Sequence, residues 1–542
     1  MVEMTLPARG GQARPDAVPA TESAAALWAR IGALVALTVG LERWVMRLTH
    51  LPAAAYEHPL IFWRLLLHLV SGEPQAALTL VAALAVLALA ARHRSLGPGW
   101  RDFEHGERLR ILIVCTAALL AWVFATYEFN FYFGRAHHAD RLLLLVLLSL
   151  VWWRPVAAPL FATAVVLIAW QFAFPIEGWS WAAPILPIRV LLLFGVFWGM
   201  RLVTGRARTA DFLFVLFCMV AAHYWVSGLG KLRLGWPARD TIAFLLPSTY
   251  ANGWLGFLAP ATIAAAARVL LALNVPMKLA TLLVECGAPF ALARRGVLRA
   301  FLVAAIVFHA GIFLLSGILF WSWMLLEAVL LVLYLRRGSP PLPIFGTRHF
   351  LLSVVLIGGG VLWFRPVRLS WLDARATYTY RMVAETEGGR SHTLGPIFFL
   401  PYDFQFTLNP FWYLVPEPRL SVTWGASGDP ATAAALRRSS RPEQVLALET
   451  QIGRVRYNAE RAAAFDAFMR RFVAGWNRHG QAWHWWTPWR APPLLWTFPM
   501  RDADTGGDRI ARVVVHEVLS MFDGERYVEI RDLPVRTIEI PR

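Results

Sequence analysis

Up to Pro366, apolar positions in this chain neither alternate nor recur on a single helical face. They come in nearly unbroken runs separated by short segments rich in arginine and proline. A helix needs about 20 such residues to cross a bilayer. Runs that cross or nearly cross fall at 26–46, 76–92, 111–131, 139–153, 157–174, 185–203, 211–230, 275–292, 300–316, 318–335 and 350–365. This pattern predicts an all-α polytopic membrane bundle of about 9–11 transmembrane helices over residues 24–365. The stretch from Lys231 to Val275 is apolar but broken by Pro247, Gly253 and Pro260. It reads as a re-entrant element over the helix ends, and Pro59 to Val70 reads as an interfacial helix. After Pro366 the pattern changes: alternation at 376–383, 512–518 and 525–540 predicts strands, and 459–476 predicts an amphipathic helix. Residues 366–542 are therefore expected to form a small α+β extracytoplasmic domain.

Arginine placement orients the bundle, because basic residues in short loops stay on the cytoplasmic side. Residues 1–23 are polar, lack a cleavable signal pattern, and read as a disordered cytoplasmic tail. With that tail inside, alternate loops carry Arg101, Arg108 and Arg110, then Arg154, Arg208, Arg294 to Arg299, and Arg336 to Arg348. All of these fall inside, which leaves the C-terminal domain outside, in the periplasm if the membrane is a bacterial inner membrane.

Composition narrows the classes. With 57% hydrophobic and 16% charged residues a purely soluble protein is excluded. The net charge of +17 sits in short loop runs and forms no single basic face, which sets nucleic acid aside as a partner. Cys115, Cys218 and Cys286 are too few and too dispersed for a disulfide framework or a thiolate metal site, and no metal is expected. Of 52 basic side chains only Lys231 and Lys278 are lysine. Lysine, unlike arginine, can lose its proton when desolvated.

The segment His223 to Trp236, HYWVSGLGKLRLGW, is the most informative. Helical spacing sets His223, Ser227 and Lys231 on one strip two turns long, and Gly228 and Gly230 leave room beside it for another helix or a flat ligand. Other ionisable groups at membrane depth are Glu128, His137, His138, Glu285, His309 and Glu327, and such groups are paired or face a cavity. Each has a structural alternative: Lys231 snorkelling to the interface, Glu285 or Glu327 neutralising a buried arginine, His309 as a satisfied core histidine. His137 and His138 open a helix in the same leaflet as Lys231, so a convergence of His138, His223 and Lys231 would make a basic pocket in apolar surroundings. A neutral amine there could take the proton of a phenol such as a membrane quinol. The signatures of a membrane di-iron oxygenase, a zinc protease, a P-loop and a nucleophile elbow are absent from the sequence.

The segment YWVSGLGKLRLGW, with Leu232 after the lysine and Trp236 five positions beyond it, resembles the signature of the vitamin K-dependent γ-carboxylase family and its bacterial relatives, the horizontally transferred transmembrane domain proteins. His137-His138 before a leucine-rich helix, Glu285, His309 and Phe320-Trp321 support the resemblance, which covers roughly residues 25–335. It implies oxidation of reduced vitamin K or menaquinol to its epoxide by O2. That oxidation creates a base strong enough to deprotonate a glutamate of a peptide or protein, to which CO2 adds. Lys231 would then be the base, with His138 stabilising the oxygenated ring or the carbanion. His137, Ser227, Trp236, His309 and Glu285 would line the quinone site. His223, assigned from spacing alone, would orient or relay a proton to Lys231. The family pattern has asparagine where His137 stands, and its animal members have a larger lumenal region. Two rival readings are a non-catalytic transporter or lipid-binding protein, and a membrane transferase acting on lipid-linked substrates. In the transferase, Trp476, Trp483, Trp485, Trp486, Trp489 and Trp496 would bind the acceptor.

Overall fold

The computed structural model describes residues 23–71, 98–127, 130–177, 185–205, 207–238, 242–366, 372–408, 410–480, 484–498 and 507–542, with isolated positions between 78 and 92. The tail 1–22, most of segment 76–92, Glu128 and Trp483 lie outside the described residues.

The helices are α1 (Ala24–Leu48), α2 (Ile61–Val70), α3 (Gly106–Thr126), α4 (His138–Trp153), α5 (Ala157–Ala169), α6 (Ile185–Thr204), α7 (Thr209–Arg233), α8 (Ile242–Ala251), α9 (Pro260–Ala272), α10 (Asn274–Gly287), α11 (Arg295–Ser316), α12 (Trp321–Leu330), α13 (Thr347–Gly358) and α14 (Gly360–Trp363). Among the described residues 6 are long and apolar enough to cross a membrane: α1, α3, α6, α7, α10 with its extension to Ala293, and α11. That is fewer than the expected 9–11, and the other apolar segments within the described residues form shorter helices. Several are short for local reasons. Arg154 and Pro155 part α4 from α5. Gly317 closes α11 in the left-handed region, at φ 72°, and Ile318 after it bridges to Leu495, so α12 starts late. A Cβ on Gly317 would lie 2.7 Å from the Trp254 ring and 2.8 Å from the Trp496 carbonyl oxygen, which only glycine avoids. The broken stretch after Lys231 contains two short helices, α8 and α9, joined by turns through 252–258.

α7 is the axis of the bundle. Every residue from Thr209 to Tyr224 is buried, and α6, α10 and α13 pack around it. Outer helices instead expose apolar stripes at i, i+4 spacing, Leu142, Val146 and Leu150 on α4 and Val275, Leu279 and Leu283 on α10. Such faces are stable against lipid tails and costly against water. Arg30 reaches Asp211 at 2.6 Å, which sets the start of α1 beside the start of α7. Arg295 at the start of α11 donates to carbonyls of Tyr334, Arg336 and Ser339 at the far end of α12. Each contact joins arginine-bearing helix ends to one another.

The C-terminal domain sits against the other ends. Its antiparallel sheet has order β3 (Ser391–Leu394), β2 (Ala376–Thr386), β5 (Ile510–Phe522), β6 (Tyr527–Glu539). β1 (Leu372–Asp373) pairs with β4 (Ala426–Ser427). Helices α15 (Asp403–Leu408), α16 (Pro430–Arg438), α17 (Pro442–Ile452) and α18 (Ala459–His479) complete it. The expected strands and the amphipathic helix are all present, within a few residues. Phe174, from the loop after α5, is fully buried among Tyr402, Phe406 and Phe468 of this domain. Phe131 meets Phe472 edge-on, and the Trp321 indole donates to the Pro492 carbonyl.

Candidate functional site

The strip predicted on α7 lines a cavity. Its volume is about 360 Å³, within the range of small-molecule sites, and its walls come from α7, α8, α10, α11 and the start of α12. His223, Ser227, Lys231, Trp236, Glu285 and His309 all face it, amid Leu245, Met277, Val284, Val307, Phe308, Ile312, Phe320 and Trp323. The lining is predominantly apolar, with the polar groups concentrated along α7 and opposite it.

Lys231 is buried, and its Nζ donates to Glu285 Oε1 at 2.6 Å and Oε2 at 2.9 Å. The ring of Trp236 lies 5.7 Å from the same nitrogen, at cation–π range. The amine is thus held by a carboxylate and not by the expected histidines, and Glu285, expected at this site, pairs with lysine and not with a buried arginine. The contact depends on Gly228: a Cβ there would lie 2.9 Å from Glu285 Cβ and 3.0 Å from Cys286 Sγ. Absence of a side chain at 228 lets α10 approach α7 closely enough for the two charges to meet.

Deeper along α7, His223 Nδ1 lies 2.7 Å from the Met219 carbonyl oxygen, and Nε2 is buried without a hydrogen-bond partner. Trp323 meets its ring edge-on, with centroids 4.8 Å apart. Beside it, Tyr224 donates to Glu327, and His309 Nδ1 stands 3.3 Å from the same hydroxyl. His309 is therefore neither an isolated core histidine nor a partner of Lys231. It belongs to a cluster of three with Tyr224 and Glu327, of which sequence reasoning missed the tyrosine. The available signal was a phenol next to His223 in a helix otherwise apolar to its centre. Lys278, the second lysine, donates to the Pro237 carbonyl at 2.8 Å, bracing the turn after α7.

His137 and His138 do not join this site, contrary to the expected convergence. His137 precedes α4 in the left-handed region, buried, with Nδ1 3.6 Å from Asp140. His138 turns to the C-terminal domain, its ring 5.2 Å from Trp486 and 6.1 Å from His484. The reason is packing order: α4 neighbours α3 and α5, whereas the cavity is walled by the helices around the end of α7. Arg141, one turn into α4, explains the draw of Trp486. Its guanidinium stacks 3.8 Å from both the Trp486 and Tyr127 rings and donates to carbonyls of Ala125, Tyr127 and Ala136.

The tryptophan-rich segment is not one surface. Trp476 lies in the domain core against Phe398, Trp486 is fully buried over Arg141, Trp496 packs on Phe313, and Trp489 is exposed. Within the domain, a charge network joins Arg419 to Glu517 at 2.7 Å and Arg531 to Glu449 at 2.8 Å and Glu517 at 3.0 Å. Asp403, buried at the start of α15, has its carboxyl pushed up to about 7 by burial, against the lowering effect of nearby backbone N–H groups and Arg490. Among the described residues no group of three or more His, Cys, Asp or Glu is disposed to hold a metal ion. No protein family, curated protein or solved structure matches the chain.

Proposed function

We propose that the chain is an integral membrane enzyme of the vitamin K-dependent γ-carboxylase type, with Lys231 as the base that deprotonates a reduced naphthoquinone. The observation that carries this reading is the Lys231–Glu285 pair, buried at the wall of an apolar cavity of about 360 Å³. A fused aromatic ring suits such a cavity: the lining is apolar, Phe320 and Trp323 offer ring faces and edges, and the few polar atoms converge on one strip. The reduced ring supplies, on oxidation by O2, the driving force to deprotonate a glutamate γ-carbon so that CO2 can add.

The chain's own residues bind and move protons. Transfer of one proton from Nζ to Glu285 across the 2.6 Å contact frees the amine lone pair for the ring hydroxyl, and the carboxylic acid holds that proton meanwhile. The Trp236 ring, 5.7 Å from the nitrogen, favours its cationic form at rest. Tyr224, His309 and Glu327 form a second proton-holding group at the same cavity. By the positive-inside rule the arginine-bearing helix ends are cytoplasmic, so the C-terminal domain lies outside and peptide and CO2 arrive from that face. His138, placed against Trp486, has no part in the ring chemistry in this reading.

The test uses purified protein in lipid nanodiscs with a reduced naphthoquinone, O2, labelled bicarbonate and a glutamate-containing peptide. Wild type should form epoxide and fix label. Lys231→Arg keeps the charge but cannot serve as base, and should lower epoxide formation by roughly 100-fold or more. No epoxide from wild type, or an undiminished rate from Lys231→Arg, would overturn the proposal.

A further inference from the structure

We infer that His223 makes this cavity selective for the reduced, hydroxyl-bearing form of a para-dioxygenated ring over its oxidised form; the inference rests on the reading that such a ring occupies the cavity. It starts from a tautomer. His223 Nδ1 lies 2.7 Å from the Met219 carbonyl oxygen, and a carbonyl only accepts, so Nδ1 carries the proton. Among the described residues no carboxylate forms an ion pair with this ring, so it is held neutral and Nε2 is left as a bare acceptor. That nitrogen is buried, lacks a hydrogen-bond partner, and belongs to a residue lining the cavity at 3% exposure. A buried acceptor without a donor is costly, and the natural remedy is a donor on the ligand.

Lys231 stands two turns further along α7, about 12 Å up the helix axis. A para-dioxygenated ring with a hydrogen bond of about 2.8 Å at each oxygen is of comparable length. The two ends then read the ligand differently. In the resting pair Lys231 Nζ is an ammonium and donates equally well to a hydroxyl or a carbonyl oxygen, so before it passes its proton to Glu285 it does not distinguish oxidation states. The Tyr224 hydroxyl is committed to Glu327. His223 Nε2 alone in this trio demands a donor: a quinol hydroxyl satisfies it, whereas a quinone carbonyl sets acceptor against acceptor. Oxidation of the ring therefore removes the hydrogen bond that held it and favours release of the oxidised product.

The test is anaerobic equilibrium dialysis of the full-length protein in nanodiscs against methyl naphthoquinol and methyl naphthoquinone. Wild type should bind the quinol roughly 10- to 100-fold more tightly. His223→Phe keeps a ring and removes the acceptor, and should bring the ratio to within about threefold of unity, chiefly by losing quinol affinity. His223→Gln, whose amide both donates and accepts, serves if the phenylalanine variant does not fold, and should lower the ratio by admitting the quinone. A wild-type ratio near unity, as an ordered water on Nε2 would give, or a ratio that survives in the folded variants, overturns the inference. Selective quinol binding without epoxide formation supports the inference and sinks the proposed reaction. Failure of both ring forms to bind sinks both.

Discussion

Removing one member of the Lys231–Glu285 pair should be far more damaging than removing both. At a mean separation of about 2.8 Å and an effective permittivity of about 20, the attraction between the charges is about 6 kcal/mol. Stripping water from each ion costs several kcal/mol, so the intact pair contributes little net stability. The balance changes when one partner goes. Glu285→Gln preserves shape but leaves Lys231, about 5% exposed, facing an apolar wall, and the expected loss is about 3–5 kcal/mol. Lys231→Met should cost about as much through the stranded carboxylate. The double variant Lys231→Met, Glu285→Leu strands nothing and should return to within about 1 kcal/mol of wild type. Denaturant unfolding of the four proteins in one detergent, followed by near-ultraviolet circular dichroism, closes the cycle. Activity should vanish in all three variants, which separates the pair's chemistry from its effect on stability. Single variants that lose less than about 1 kcal/mol, or a double variant whose loss equals their sum, would show that the charges do not face each other in the membrane.

Three further outcomes follow from particular contacts. Gly228→Val places methyl groups where Glu285 Cβ and Cys286 Sγ already lie within 3.0 Å of a Cβ; it should cost about 1–3 kcal/mol and lower quinol affinity by parting α7 from α10, read by melting and by dialysis. Asp403 has a folded pKa of about 7, above the unfolded value, so the folded state holds a proton that the unfolded state has released. The stability it confers is full below about pH 4 and is lost as pH rises through 7, at up to about 1.4 kcal/mol per pH unit. Asp403→Asn should flatten the dependence of melting temperature on pH across that window, and an unchanged slope counts against the burial. Glu517 is fully buried and accepts from Arg419 and Arg531, so Glu517→Leu should unfold the C-terminal domain first, by about 3–5 kcal/mol, visible as early protease cleavage after residue 366.

Local features of this chain were legible in sequence and inter-helix ones were not. Apolar runs depend on composition over one segment, so the helices at 24–48, 185–204, 209–233 and 295–316 were placed within a few residues. The strip His223, Ser227, Lys231 follows from helical rise alone, and its burial against a cavity agrees. What one helix cannot reveal is its neighbour. Glu285 was visible as a costly intramembrane acid, yet its pairing with Lys231 required α10 to meet α7, at which Gly228 and Gly230 only hinted. The Tyr224–Glu327–His309 cluster joins three helices and has no signature in any one of them. His137 and His138 share a leaflet with Lys231, but leaflet is not adjacency: the order of helices around α7 excluded them. The tryptophans between 476 and 496 are close in sequence, but irregular backbone disperses them among core, bundle contact and exposed surface.

Burial of charge and retention of empty space are each unfavourable, and their coincidence at one place is the strongest argument for a site. A lysine–glutamate pair in an apolar interior is no more stabilising than two well-packed aliphatic side chains would be. A void beside it forfeits dispersion contacts that a leucine or phenylalanine could supply. A scaffold shaped only for stability would remove both, yet here Gly228 and Lys231, three residues apart on α7, sustain the pair at the wall of the void. The Arg419–Glu517 network in the C-terminal domain is the instructive contrast. Arg419 and Glu517 are as deeply enclosed, but the Tyr378 and Tyr380 hydroxyls donate to the carboxylates of Glu449 and Glu517, and although Arg531 Nε lacks a hydrogen-bond partner both acids are satisfied and the network reads as architecture. At the α7 cavity Nε2 of His223 is left without a hydrogen-bond partner, and unmet bonding capacity of that kind is what a ligand would complete.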